Sequence, residues 1–103
     1  MRPVNRTYKA GSYLFRENDF SRELYILQAG KVKVFRSVGS KEIELAVIAK
    51  GSVLGEMALI DGKARSASAR AVEETKAMII DAETFSARTK GIPPWFMAII
   101  KMV

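Results

Sequence analysis

Histidine and cysteine are both absent from this 103-residue sequence. Without histidine the chain cannot build a Ser-His-Asp triad, a Cys-His pair or an imidazole acid–base catalyst. Without cysteine it cannot form a disulfide, a zinc finger or an iron–sulfur cluster. Carboxylate and Ser-Lys chemistry stay available, but most hydrolytic and metal-site designs do not. The two absences favour a binding module over an enzyme.

Long apolar runs are also lacking. The stretch Trp95–Ile100 contains six consecutive apolar residues, whereas a membrane-spanning helix needs about 20. The N-terminal sequence MRPVNRTYKAG has basic residues but no apolar core of a secretory signal. We therefore expect a cytoplasmic protein without a membrane partner.

The composition is that of a globular domain with a basic excess. Apolar residues make up 49% and charged residues 27%, and 17 Lys and Arg against 11 Asp and Glu give a net charge of +6. The length predicts a single domain over residues 1–103. Outside Arg2–Lys9 and Lys31–Arg36 the basic residues are scattered, and aromatic residues do not alternate with them as on a nucleic-acid platform. The charge therefore predicts no direct nucleic-acid site, although it raises the local concentration of anionic ligands.

Alternating apolar and polar residues predict short β-strands in the first eighty residues. A loop is expected over Arg16–Glu23, and turns at Gly30, at Val38–Ser40 and at Glu73-Glu74. The predicted strands are Arg6–Lys9, Ser12–Phe15, Leu24–Gln28, Lys31–Arg36, Glu42–Ile48, Ser66–Val72 and Lys76–Ile80. Short strands joined by Gly-rich turns predict an antiparallel sandwich, barrel or roll.

Two of these strands are close in sequence. Leu24–Gln28 and Lys31–Arg36 are expected to pair as a hairpin that turns at Gly30. Strict alternation in the second strand predicts that Val32 and Val34 share one face, with Phe35 on the other.

The last quarter of the sequence predicts helices. Asp81 is predicted to be the N-cap of a short helix that ends at Gly91. A second helix is expected to begin at Pro93-Pro94 and to be cut short at Val103. The second helix carries an apolar stripe made of Trp95, Phe96, Ile99, Ile100 and Val103. Two interpretations stay open: the stripe packs on the domain's own strands, or it belongs to a longer helix used for dimerisation or signalling.

One stretch, GSVLGEMALIDGKARSASAR at residues 51–70, has an unusual composition. The small residues Gly55 and Ala58 allow a ligand to approach the backbone closely, and the first turn of a helix here would present unpaired N–H groups to an anion. The guanidinium of Arg65 matches two phosphate oxygens, while the carboxylate of Glu56 suits a sugar hydroxyl. An anion together with a diol indicates a sugar phosphate or a nucleotide.

This stretch closely resembles the phosphate-binding cassette of cyclic nucleotide-binding domains, in the segments Gly55–Ile60 and Arg65–Ala67. That family includes the bacterial catabolite activator proteins, the regulatory subunits of protein kinase A and the cyclic nucleotide-gated channels. Lys9-Ala10-Gly11, Leu24–Leu27 with Gly30, and Gly51 occur in the family's order, so the resemblance covers about Tyr8 to Phe85. It implies an antiparallel β-roll (a double-stranded β-helix, or jelly roll) with a short cassette helix and C-terminal helices.

The resemblance also implies roles for individual residues. Glu56 would accept a hydrogen bond from the ribose 2′-hydroxyl, and Gly55 would leave room for the ribose. Arg65 and the backbone amides of Ala58 and Ala67 would bind the cyclic phosphate. The full set of implied ligand-binding residues is Gly55, Glu56, Met57, Ala58, Arg65, Ser66, Ala67, Val34 and Leu45, of which Val34 and Leu45 would line the base pocket.

The resemblance implies cyclic AMP as the ligand, because Arg-Ser-Ala at residues 65–67 is similar to the bacterial activators that bind it. Cyclic GMP is the alternative, since the Ser66 hydroxyl could reach a guanine amino group. The C-terminal helix would transmit the signal and could form a homodimer.

Three other interpretations of the sequence are weaker. A cupin-like β-roll enzyme usually holds a metal through several histidines, so we expect no enzyme activity and no metal. A degenerate domain that has lost its ligand would not need to keep both Glu56 and Arg65. On spacing alone, Arg65 could instead form a salt bridge with Glu56 or Asp61.

Overall fold

The computed structural model of the chain describes residues 4–56 and 62–81. Eight β-strands account for most of them: β1 (Val4–Tyr8), β2 (Tyr13–Phe15), β3 (Glu23–Ala29), β4 (Lys31–Val38), β5 (Lys41–Ala49), β6 (Val53–Leu54), β7 (Ser68–Ala71) and β8 (Thr75–Asp81). The predicted helices in the cassette and after Asp81 lie outside the described residues. Within the described segments there is no helix of the length and apolarity that crossing a membrane requires.

The strands form two antiparallel four-stranded sheets, with the orders β1-β8-β3-β6 and β2-β7-β4-β5. The pairing is nested: β4 pairs with β5, β3 with β6, β2 with β7 and β1 with β8. Two further pairings, β3 with β8 and β4 with β7, complete the sheets. This nested arrangement is that of a jelly roll, which confirms the predicted β-roll.

The predicted hairpin at Gly30 is wrong, because β3 and β4 lie in different sheets. Only Gly30 separates them, whereas the tightest common hairpin needs a two-residue loop. Gly30 has a φ of +91°, and a Cβ on it would lie 2.6 Å from the Cα of Thr75 at the start of β8. Glycine is therefore required at this corner, where the chain passes from one sheet to the other.

The core lies between the two sheets. Val32 is fully buried in this core, and Val34 is partly buried and packs against the core residues. Both therefore lie on the face of β4 that the alternation predicts. The buried core residues are Tyr8, Leu14, Phe15, Tyr25, Leu27, Val32, Leu54, Ala69, Ala71, Ala77 and Ile79. Because members of both sheets contribute, burial of these side chains holds the sheets together.

The face of β4 opposite to the core carries a cluster of charged and aromatic residues, here called the outer cluster and made of Tyr13, Lys33, Phe35, Glu42 and Arg70. The Arg70 guanidinium lies 4.6 Å from the centre of the Phe35 ring and donates hydrogen bonds of 2.8 and 2.7 Å to the Glu42 carboxylate. Lys33 also pairs with Glu42 at 3.3 Å. Phe35 is only 1% exposed, so the outer cluster shields a large ring on the side away from the core.

The outer face of the other sheet is apolar along β3 and β8. Leu24 pairs with Ile80, and Ile26 pairs with Met78, in the register of these two strands. Both pairs alternate with core positions such as Tyr25, so they lie on the face opposite to the core. Leu24 is nevertheless buried.

Candidate phosphate-binding site

Arg65 lies against the loop that connects β2 to β3. Its backbone N–H donates to the carbonyl of Asp19 at 2.7 Å, and its own carbonyl accepts from the N–H of Asn18 at 2.8 Å. Asn18 has a φ of +74°, in the left-handed region that asparagine tolerates better than most residues. The backbone therefore fixes Arg65 beside residues far away in the sequence.

The guanidinium of Arg65 makes three hydrogen bonds within the described residues. The Nε–H donates to Ser21 Oγ at 3.1 Å, Nη1 donates to the carbonyl of Gly55 at 2.7 Å, and Nη2 donates to the carbonyl of Glu23 at 2.5 Å. The Phe15 ring lies 4.3 Å from the guanidinium carbon, within the range of a cation–π interaction. The guanidinium is therefore fixed by hydrogen bonds from all three of its nitrogens and by a ring packed on one of its faces.

The charge of Arg65 is buried without a directly bonded counter-ion among the described residues. Arg65 is 4% exposed, and its three acceptors are a hydroxyl and two carbonyls. Burial lowers the pKa of Arg65, while Tyr25, Glu23, Asp19 and Glu56 act in the opposite direction. Since arginine remains protonated in proteins, this is a buried cation that an incoming anion would neutralise.

Gly55 and Glu56 follow β6 and lie beside this cation. Gly55 has a φ of +85°, and a Cβ on it would lie 2.7 Å from Nη1 of Arg65. Glu56 is half-buried, and its carboxylate opposes the lowering of the Arg65 pKa that burial causes. The structure thus brings together Gly55, Glu56 and Arg65.

The other predicted ligand-binding residues are spread over several elements and do not all lie beside Arg65. Ser66 is exposed and Ala67 is buried, directly after Arg65. Val34 pairs with Ala46 of β5, and Leu45, next to Ala46, is 53% exposed. Met57 and Ala58 lie outside the described residues. The proposed base-pocket residues are therefore adjacent to each other on β4 and β5, in the second sheet.

Four residues that contact the Arg65 guanidinium were not predicted to act at this site: Ser21, Glu23, Phe15 and Tyr25. Two of the acceptors are backbone carbonyls, which carry no signature in the sequence. Tyr25 lies next to these groups: its hydroxyl is 3.0 Å from the Leu14 carbonyl oxygen and 3.2 Å from Glu23 Oε1, and the two acceptors share its single proton. Burial raises the pKa of Tyr25, so the hydroxyl stays a donor at neutral pH.

Known proteins share this fold and this segment. Residues 5–90 match the profile of the cyclic nucleotide-binding domain. The chain is 38% identical over 89 residues to the cyclic AMP receptor protein of Thermus thermophilus, covering 85% of this chain and 41% of that protein. It is 40% identical over 82 residues to cGMP-dependent protein kinase 2 of Mus musculus, covering 77% of this chain and 11% of that one. The chain thus spans less than half the length of these two relatives.

Solved structures agree with the sequence comparison. The cAMP-bound form of the EAL enzyme Bd1971 superposes with a TM-score of 0.86 and 27% identity, covering 96% of this chain and 27% of that one. Its cGMP-bound form gives a TM-score of 0.87 at 27% identity, with the same two coverages of 96% and 27%. The family profile covers Gly55, Glu56 and Arg65 and, apart from Val4, all eight strands. The chain therefore belongs to the cyclic nucleotide-binding domain family.

Proposed function

We propose that this chain is a cyclic nucleotide sensor that binds cyclic AMP in preference to cyclic GMP, and that it acts by binding and not by catalysis. One observation carries the proposal: the buried guanidinium of Arg65 has only neutral hydrogen-bond acceptors among the described residues. Three of its five N–H groups are used in this way, so two have no partner within residues 4–56 and 62–81. These two N–H groups are available to donate charge-assisted hydrogen bonds to the oxygens of a cyclic phosphate.

The proposal assigns the remaining contacts with the ribose, the phosphate and the base to the following residues. Glu56 accepts a hydrogen bond from the ribose 2′-hydroxyl, and Gly55 leaves room for the ribose. Ser66 contacts the ligand together with the backbone amide of Ala67. From the cassette outside the described residues, Ala58 contributes its backbone amide and Met57 completes the ligand contacts. Val34 and Leu45 line the base pocket, a role supported by the exposed position of Leu45.

In this proposal the protein is cytoplasmic, and its C-terminal helix transmits the signal. The same helix is the contact between the two chains of a homodimer. The half-buried apolar residues Ile26, Met78 and Ile80 on one face of β3 and β8 support this, because they offer a surface against which a helix can pack. The ligand shifts the equilibrium between two arrangements of the helix only by its difference in affinity for them. Dimer formation is measured by light scattering across a concentration series with and without cyclic AMP.

The binding test compares Arg65 variants by titration calorimetry with cyclic AMP. Hydrogen bonds to charged groups contribute about 1.5–3 kcal/mol, so we expect Arg65→Ala to weaken binding by at least about tenfold. Arg65→Lys should also weaken binding, because lysine lacks the planar fork. The matched control is Arg36→Ala, which removes an exposed arginine of β4 that lies 3.8 Å from Glu17.

Arg65 is buried, so circular dichroism must first establish that each variant is folded. Absence of binding of both cyclic nucleotides to the wild-type chain at millimolar concentration would overturn the proposal. Cyclic GMP is the second candidate ligand, favoured by the match to a cGMP-dependent protein kinase and by the cGMP-bound neighbour. Titration of the wild type with both nucleotides decides between them.

A further inference from the structure

Ser21 supplies a side-chain contact to the buried cation. It lies half-buried in the loop between β2 and β3, and its Oγ accepts the Nε–H of Arg65 at 3.1 Å. Among the described residues it is the only side chain that accepts a hydrogen bond from this guanidinium, since the other two acceptors are backbone carbonyls. Substitution at Ser21 can therefore change one bond of Arg65 and leave the carbonyl acceptors in place.

The geometry gives this bond a specific effect. Nε–H and one N–H of Nη2 leave the same edge of a guanidinium in parallel. Ser21 Oγ and the carbonyl of Glu23 occupy that edge, while the Phe15 ring covers a face. With the edge occupied, the guanidinium plane cannot turn without breaking a hydrogen bond, so the directions of its two remaining N–H groups are fixed.

We propose that Ser21 is a positioning residue of the phosphate site: it fixes the orientation of the Arg65 guanidinium before the ligand arrives. This rests on the function proposed above. An arginine side chain loses substantial rotational freedom when it binds, and a site that has already restricted this freedom binds more tightly. Ser21 does not touch the nucleotide in this proposal and acts only through Arg65.

The test is a double-mutant cycle on cyclic AMP affinity, measured with the wild type, Ser21→Ala, Arg65→Lys and the double variant. We expect Ser21→Ala to weaken binding by about three- to tenfold, within the range for having to immobilise one rotamer-rich side chain on binding. In the Arg65→Lys background the same substitution should change affinity less than about twofold, because lysine has no Nε–H fork for Ser21 to hold. Ser40→Ala, in the exposed turn between β4 and β5, is the matched control.

A second pair of variants keeps the test independent of folding. Ser21→Thr retains the hydroxyl and should bind within about threefold of the wild type, whereas Ser21→Val has the shape of threonine without the hydroxyl and should match Ser21→Ala. In nitrogen-15 NMR spectra the Arg65 Nε–H signal, assigned by its loss in Arg65→Lys, should exchange with water faster in Ser21→Val than in Ser21→Thr.

The outcomes separate the two proposals. A wild type that binds neither cyclic nucleotide overturns both. A wild type that binds, with Ser21→Ala and Ser21→Val unchanged, overturns the role of Ser21 alone. Equal weakening by Ser21→Ala in the wild-type and Arg65→Lys backgrounds also overturns it, since the effect would then not pass through Arg65.

Discussion

At the scale of single residues, Gly55 and Arg65 depend on each other. The carbonyl of Gly55 accepts a hydrogen bond from Nη1 of Arg65, and a Cβ at position 55 would lie 2.7 Å from that same nitrogen and 3.2 Å from the carbonyl oxygen of Glu23. The nitrogen is part of the guanidinium itself, and the Glu23 carbonyl accepts a hydrogen bond from Nη2 of the same group. A side chain at position 55 would therefore displace the cation that the proposed function requires.

We predict that Gly55→Ala weakens cyclic AMP binding by at least about tenfold. The substitution adds a contact with Arg65 and also places alanine at a φ of +85°, which costs about 1–2 kcal/mol in stability. Gly39→Ala is the control, because Gly39 has a φ of +61° but nothing within 4 Å of the added Cβ. Calorimetric affinity and urea unfolding are measured on both variants.

If the two variants lose stability to a similar extent while only Gly55→Ala loses affinity, the contact with Arg65 is responsible. An unchanged affinity of Gly55→Ala would contradict the placement of Arg65 in the site.

The spacing of residues drew attention to three candidate site residues, and the family resemblance supplied the other predicted ones. Gly55, Glu56 and Arg65 stood out because a small residue, a carboxylate and a guanidinium lie within eleven positions. Ser21 and Glu23 did not, since they act on Arg65 through an ordinary hydroxyl and a backbone carbonyl from more than 40 positions away. Contacts of this kind are decided by the fold, which sequence spacing does not encode.

At the scale of strands, the local pattern predicted where strands form but not how they pair. The alternation in β4 correctly separated Val32 from Phe35, because the period of two is a property of the strand itself. The same pattern predicted a hairpin between β3 and β4 that does not exist. Strand pairing depends on distant partners, here β6 and β8 for β3, and the single residue Gly30 leaves no room for a hairpin loop.

The outer cluster makes a pH-dependent contribution to the sheet that contains β4, β5 and β7. Hydrogen bonds from Arg70, and then from Lys33, lower the pKa of Glu42 to about 2. Because the folded-state pKa lies below the ordinary value, the stabilisation is present above about pH 4.5 and is lost as the pH falls towards 2. We predict that the stability difference between the wild type and Glu42→Gln shrinks between pH 6 and pH 3.

Urea unfolding midpoints at the two pH values measure this difference, and added salt should reduce it because Glu42 and Arg70 lie at the surface. Glu44→Gln is the control, as Glu44 is an exposed neighbour on the same strand. A difference that stays constant from pH 6 to pH 3 would show that the Glu42 carboxylate is not the titrating group.

At the scale of the whole molecule, a ligand bound at Arg65 would stabilise the complete roll. Arg65 joins the loop between β2 and β3 to the segment that follows β6, and so connects elements of both sheets. Ligand at 100 times its Kd adds about 2.7 kcal/mol to the stability of the folded state. We predict that this concentration of cyclic AMP raises Tm by about 10 °C or more.

Thermal unfolding followed by circular dichroism measures the shift. Arg65→Lys should show a smaller shift at the same ligand concentration, and linear adenosine monophosphate serves as the matched ligand control. Equal shifts with the cyclic and the linear nucleotide would indicate nonspecific attraction of anions to the basic chain.

The nested pairing of the strands has a consequence for how the chain folds. Among the strands of the described residues, only β4 and β5 are neighbours in sequence and paired in space; every outer pair closes a longer loop, up to β1 with β8, where Val4 pairs with Ile79. Once an inner pair has formed, the next pair needs to close only the segments that connect it to that inner pair, so its loop-closure entropy is smaller than that of the whole enclosed stretch. The roll can therefore assemble outward from its central hairpin, and the pairing of its first and last strands is the step that depends on all the others.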